Sequence, residues 1–186
     1  MSERIADWLI RQKAISTDER ELYSYAVHCL FSLLYPIIFA SVIGAIFGMV
    51  LEAIIIIMPF IIVRKFSGGY HADSFYKCLI ISSAVIGIVL VISRYIANGI
   101  ILNIIYIIAS ILLMIFSPMD SENKRLDSDE KCFCKKMTII LVLTLLVIVG
   151  GLWITRCQYY SKFIEMGVVL AEGLQLVAEI KMLRNY

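Results

Sequence analysis

Charge is scarce in this chain: Asp, Glu, Lys and Arg make up 17% of its 186 residues, against roughly 25% in soluble domains. Water is therefore not its main solvent. Proline numbers only three, and no Pro/Ser-rich linker or internal repeat breaks the pattern, which excludes an obvious second folding unit and predicts one domain over residues 1–186. An odd count of five cysteines, Cys29, Cys78, Cys132, Cys134 and Cys157, cannot pair completely and is scattered over apolar runs and loops; a disulfide scaffold is not expected. The N-terminal stretch lacks an uninterrupted apolar core, carrying Glu3, Asp7, Asp18, Glu19 and Glu21, so a cleaved signal peptide is not expected either. There is no glycine-rich phosphate loop and no nucleic-acid-binding pattern.

What the chain has is apolar length. Hydrophobic residues reach 61% and come in long uncharged blocks rather than the short periodic stretches of a soluble core. From Leu22 to Val63 the only charge is Glu52. As one helix this stretch would measure about 63 Å, twice the roughly 30 Å of bilayer hydrocarbon. A turn must lie inside it. Gly44, Gly48 and Glu52 mark the region, although Gly44 and Gly48 also form a small-xxx-small pair suited to close helix contact. Further uncharged runs are Cys78–Ser93, Tyr95–Met119 and Met137–Thr155, each long enough to cross if tilt is allowed. A last apolar stretch, Phe163–Ile180, carries Glu165, Glu172 and Glu179 spaced by seven, hence on one helical stripe. The preferred reading gives that stripe to water or headgroups; if the helix crosses, it must face the bundle interior. At the start, Ile5, Trp8, Leu9 and Gln12 share one helical face, as in an interfacial helix or one packed on the bundle. The expected fold is all-α: a polytopic transmembrane helical bundle of about six spans preceded by a short interfacial helix.

Net charge is only +2, but its placement is informative. Fourteen of the 17 basic residues fall on one side of the alternating spans: Arg4, Arg11, Lys13 and Arg20; Arg64, Lys65 and Lys77; Lys124, Arg125, Lys131, Lys135 and Lys136; Lys181 and Arg184. Arg94, Arg156 and Lys162 fall on the other. The positive-inside rule then predicts cytoplasmic termini and cytoplasmic loops at 64–77 and 118–136, with the lysines of the second loop suited to acidic lipid or an acidic peptide tail.

Only two histidines are present. His28, inside an apolar run beside Cys29, reads as a buried core histidine, since neighbours on a helix point about 100° apart and cannot share a substrate. His71 lies in the loop Arg64-Lys-Phe-Ser-Gly-Gly-Tyr-His-Ala-Asp-Ser-Phe-Tyr-Lys77, with Cys78 seven residues on. On a straight helix that separation spans about 10.5 Å, beyond the roughly 3 Å of a nucleophile–base contact. The chain between them must fold back, which Gly68 and Gly69 permit. A helix starting at Cys78 would favour its thiolate, helped by His71, Lys77 and Arg64, and amides near Gly68 and Gly69 could donate to an oxyanion. On residue chemistry alone the pair reads first as a polar cytoplasmic loop followed by a core cysteine, and only second as a catalytic dyad. Asp73 reads as a solvated loop residue. Cys132 and Cys134 lack the partners of a zinc site, so no metal is expected.

The combination Arg64, Gly68-Gly69-Tyr70-His71-Ala72 and Cys78 resembles the signature of the AgrB accessory gene regulator proteins. A second patch, Pro118 with Asn123-Lys124-Arg125-Leu126, is similar to that family's loop after the fourth span, with Arg125 where proline is common. The resemblance implies a bacterial cell-membrane cysteine endopeptidase in which His71 and Cys78 are catalytic, Arg64, Gly68 and Gly69 support the loop or substrate, and Lys124 and Arg125 contribute to binding. It further implies an AgrD-like precursor peptide as partner, a cyclic thiolactone or lactone product for quorum sensing, contact with membrane lipids, a homodimer, and no cofactor. A non-enzymatic transporter or adaptor is the competing expectation.

Overall fold

The computed structural model describes residues 2–68, 75–96, 99–119 and 127–184, with side chains for all of these except 75–83 and 181–184. Within them the chain is helical: α1 (Ser2–Arg11), a 3-10 turn (Thr17–Glu19), α2 (Arg20–Phe47), α3 (Val50–Ser67), α4 (Phe75–Tyr95), α5 (Ile100–Phe116), α6 (Ser128–Ile154) and α7 (Gln158–Arg184). The segments Thr17–Phe47 and Ser128–Ile154 are long and apolar enough to cross a membrane on their own. α5 is as apolar but 17 residues long, α3 carries Glu52, Arg64 and Lys65 at its ends, and α7 carries the glutamate stripe.

The expected turn falls at Gly48. Its φ of +68° is left-handed, which glycine adopts without strain, and it ends α2 with bonds from the Gly48 and Met49 amides back to Ala45 and Gly44. Gly44 serves the close contact as well: a Cβ there would come within 2.8 Å of the Ala53 Cβ and 2.7 Å of the Met49 carbonyl oxygen. The two roles considered for these glycines are thus divided between them.

α3 is the centre of the bundle. Ala53, Ile56, Ile57, Phe60 and Val63 recur at helical spacing and are all buried. Its most extensive partner is α7, followed by α2, and α7 also packs against α5 and α6. α3 and α7 meet closely because position 167 is glycine; a Cβ there would run into the Ile56 carbonyl oxygen and lie 2.8 Å from the Pro59 ring. The outward face of α2 stays uncovered, exposing Leu22, Tyr25, Leu30, Leu34, Ile38, Val42 and Ile46, as a lipid-facing stripe does.

α1 packs on α2. Ala6 is buried in that contact while Trp8 remains exposed, and the Asp7 carboxylate accepts from Arg20 Nε at 2.7 Å. The helix is therefore docked, with an aromatic left to meet the surroundings. His28 corrects the expectation of burial. It is exposed and lines an open groove between α1 and α2 with Ser2, Glu3, Arg20, Glu21, Ser24 and Tyr25, because α1 borders this face of α2 without covering it.

One end of the bundle gathers the α2–α3 turn, the end of α4 and the start of α7. Arg94 donates to the Phe47 carbonyl, Lys162 Nζ to the Ser93 carbonyl at 3.0 Å, and Tyr159 to Glu52 at 2.7 Å. Two of the three basic residues set apart by the charge pattern, Arg94 and Lys162, thus share this end and are spent on helix ends.

Candidate functional site

The opposite end is organised by a backbone contact. α3 stops at Ser67, and Gly68 turns away with φ +75° and ψ −153°. There it forms a parallel bridge with Met119, whose amide donates to the Ser67 carbonyl at 2.9 Å. A Cβ on Gly68 would collide with the Met119 carbonyl oxygen, so glycine is required by both torsion and space. On the other strand of the contact, Ser117–Pro118 is a cis peptide, and the Ser117 hydroxyl, buried, reaches Gln175 Oε1 at 3.4 Å. The two loops singled out by sequence, 64–77 and 118–136, therefore leave the bundle from one point.

Arg64 sits in the last turn of α3, half-buried, with its guanidinium 5.6 Å from the Phe60 ring centre. A cation there suits the negative end of the helix. Lys65 is exposed over Phe66, whose ring meets Phe133 of α6 edge to face at 6.4 Å. This ties the start of α6 to the same end. α6 itself opens with a capping box, Asp127 taking Glu130 as its reciprocal partner.

Cys78 is the fourth residue of α4, which starts at Phe75, three residues earlier than expected, and no acidic residue lies in its first turn. The first four amides of a helix have no intrahelical acceptor and carry partial positive charge. His71, Gly69, Asp73, Lys124 and Arg125, together with the fold-back required between His71 and Cys78, lie outside the described residues. Of the expected site residues the structure thus brings Gly68 against the root of the second loop at Met119, with Arg64 one turn back on α3. Among the described residues there is no group of acidic, histidine and cysteine side chains suited to a metal, and Cys132 and Cys134 are free thiols.

The glutamate stripe is a second correction. Glu165 and Glu172 are buried, at 0% and 3% exposure, and do not face water or headgroups. The reason is that α7 is covered on three sides by α3, α5 and α6. Asn103, Tyr106 and Ser110 of α5, and Ser117 at its C-terminal cap, were not recognised from sequence as a polar seam; Asn103 stands against Glu165 and Ser117 against Gln175. The signal was present as spacings of three, four and seven within an apolar run.

Comparison with known proteins matches the family model described as Accessory gene regulator B to residues 2–178. The AgrB-like protein 2 of Clostridium perfringens strain 13 is 26% identical over 170 residues, covering 87% of this chain and 78% of that protein. An AgrB-like protein of Clostridium perfringens strain SM101 is 26% identical over 194 residues, covering 95% of this chain and 88% of the relative. No solved structure matches.

Proposed function

Since the chain belongs to the AgrB family, whose membership supports a role in accessory gene regulator peptide processing, we propose that it is a membrane cysteine endopeptidase. In this reading it cuts the C-terminal part from a small AgrD-like precursor and helps close the remaining fragment into a thiolactone or lactone signal for quorum sensing. His71 takes the thiol proton of Cys78, and the thiolate attacks the scissile carbonyl. The carbon–nitrogen bond breaks as the proton passes to the departing amine, leaving an acyl-enzyme thioester. A cysteine of the peptide then exchanges with Cys78, freeing it as a thiol; a peptide serine would give the lactone. Keeping water away favours ring closure over hydrolysis.

The observation that carries this reading is the position of Cys78 in the first turn of α4, where free amides and the helix dipole favour a thiolate, seven residues after the only histidine of the Arg64–Cys78 motif. The bridge at Gly68 supports a common origin for the catalytic and basic loops. We further infer a single multi-pass domain of about six spans, α2 to α7, with both termini and the catalytic loop cytoplasmic, from the placement of basic residues. A homodimer in contact with lipid belongs to the same reading. Arg64, Gly69, Lys124 and Arg125 are assigned to holding the loop or the precursor.

A non-enzymatic transporter or adaptor is favoured by one observation, the burial of Glu165 and Glu172. Coexpression with the precursor separates the two: the peptidase needs Cys78 and His71, whereas the transporter is indifferent to Cys78→Ala.

A further inference from the structure

Three helices meet where the two loops begin. Ser117 caps α5, its amide bonded back to the Leu113 carbonyl at 3.1 Å. Two residues later the Met119 amide donates to the carbonyl of Ser67, the last residue of α3, at 2.9 Å. α7 enters this junction at Gln175, whose Oε1 accepts from the Ser117 hydroxyl at 3.4 Å. Both side chains are buried, Ser117 at 3% exposure and Gln175 at 1%. Gly68, bridged to Met119, stands three residues before His71. A buried amide on α7 is thus joined, through Ser117 and Met119, to the root of the loop that carries the histidine.

As a source of stability the pair is weak. Its bond is long for a hydroxyl donor, and the other end of the amide, Gln175 Nε2, is buried without a hydrogen-bond partner. A neutral hydrogen bond gives folding less than a buried unmet donor takes away, and apolar groups of the same shape in place of both partners are commonly neutral or stabilising. In a helix surrounded by other helices and lipid, the unmet donor weighs more heavily still. What apolar residues do not supply is direction: the bond selects one orientation of Ser117 against α7, and Ser117 sets where Met119 meets Ser67. We propose that Gln175 is a positioning residue, holding through Ser117 the junction from which the catalytic and basic loops leave, a role that rests on the peptidase reading. Activity is sensitive to such a hold, because displacing reacting groups by about 1 Å can cost about a hundredfold in rate.

The variants are Ser117→Ala, Gln175→Met, which keeps the length of the side chain without its acceptor, and the two combined. Each full-length protein in liposomes is assayed for kcat and KM on a synthetic AgrD-like precursor, with Cys78→Ala as the control for the peptidase reading. Exchange of the Met119 amide with deuterium is followed by mass spectrometry in the same liposomes and does not use processing. Each single variant is expected to lower kcat by about tenfold with KM within about twofold, and the double variant to fall no further, since one contact is lost once. The Met119 amide should exchange about tenfold faster in all three, while the Tm of the double variant equals or exceeds that of the wild type. A wild-type kcat in Gln175→Met overturns the proposal. So does a loss of kcat that follows a lowered Tm, or one that leaves exchange at Met119 unchanged, or losses that multiply in the double variant. If Cys78→Ala still processes the precursor, the peptidase reading fails instead, and exchange at Met119 alone decides whether Gln175 holds the junction.

Discussion

The amide of Met119 donates to the carbonyl of Ser67 across 2.9 Å, and through that bond the end of α3 and the chain leaving α5 become one object. Gly68 sits against it where a side chain cannot. Gly68→Ala forces a methyl into the Met119 carbonyl at a left-handed torsion, which is expected to destabilise the protein by about 1–3 kcal/mol. The check is thermal unfolding in detergent alongside precursor processing. If Gly68→Ala processes the precursor at the wild-type rate, the bridge has no part in positioning the loops.

Cys78→Ala and His71→Ala should each lower processing by about a thousandfold or more, the scale seen when a nucleophile or its base is removed, while both proteins still insert. A thiol-reactive probe titrated against pH offers a parallel readout. Cys78 is expected to react at lower pH than Cys132 and Cys134, which are free thiols near the start of α6. Equal reactivity of the three would argue against an activated nucleophile.

The α3–α7 contact depends on Gly167. Gly167→Ala pushes a methyl against the Ile56 carbonyl and the Pro59 ring, and overpacking of this kind costs about 1–3 kcal/mol. A lower Tm is expected, and a larger drop for Gly167→Leu. A control Gly150→Ala, inside α6 where a Cβ meets nothing, should not lower Tm.

The docking of α1 depends on pH in a defined direction. The Arg20 guanidinium hydrogen-bonded to Asp7 holds its carboxyl below the ordinary value of 3.8. A depressed carboxyl contributes stability that is present above its unfolded value and is lost as pH falls through the folded one. α1 should therefore stay docked from neutral pH down to the ordinary carboxylate range and loosen only below it. Fluorescence anisotropy of a dye on α1 reads this, and Asp7→Asn should show the loosened signal at every pH.

Much of this architecture was legible in the chain because uncharged length and glycine placement are strong signals. Gly48 announced the hairpin, and the basic residues sorted helix ends into two groups that the fold keeps: Arg94 and Lys162 at one end, Arg64 and Lys65 at the other. His28 was misread because an apolar run says that a helix is surrounded by apolar matter without saying whether that matter is protein or lipid. The glutamate stripe reads first as facing water or headgroups for the same reason, since its cover on α7 is supplied by helices distant in sequence; the alternative, an interior-facing stripe, is the one that Glu165 and Glu172 follow. The Ser67–Met119 bond was invisible: it joins two backbone groups and leaves no mark on residue type except the glycine beside it. The candidate catalytic residues were legible only as a motif, because spacing alone does not tell how a loop folds back.

The two-residue connection between α2 and α3 bears on how these two helices act together. With only Gly48 and Met49 between them, the two helices have no slack to stand apart. Gly44 meets Ala53 across this connection, a contact between neighbours in sequence that is made at low loop-closure cost. On the proposed multi-pass reading, α2 and α3 are therefore expected to behave as one unit.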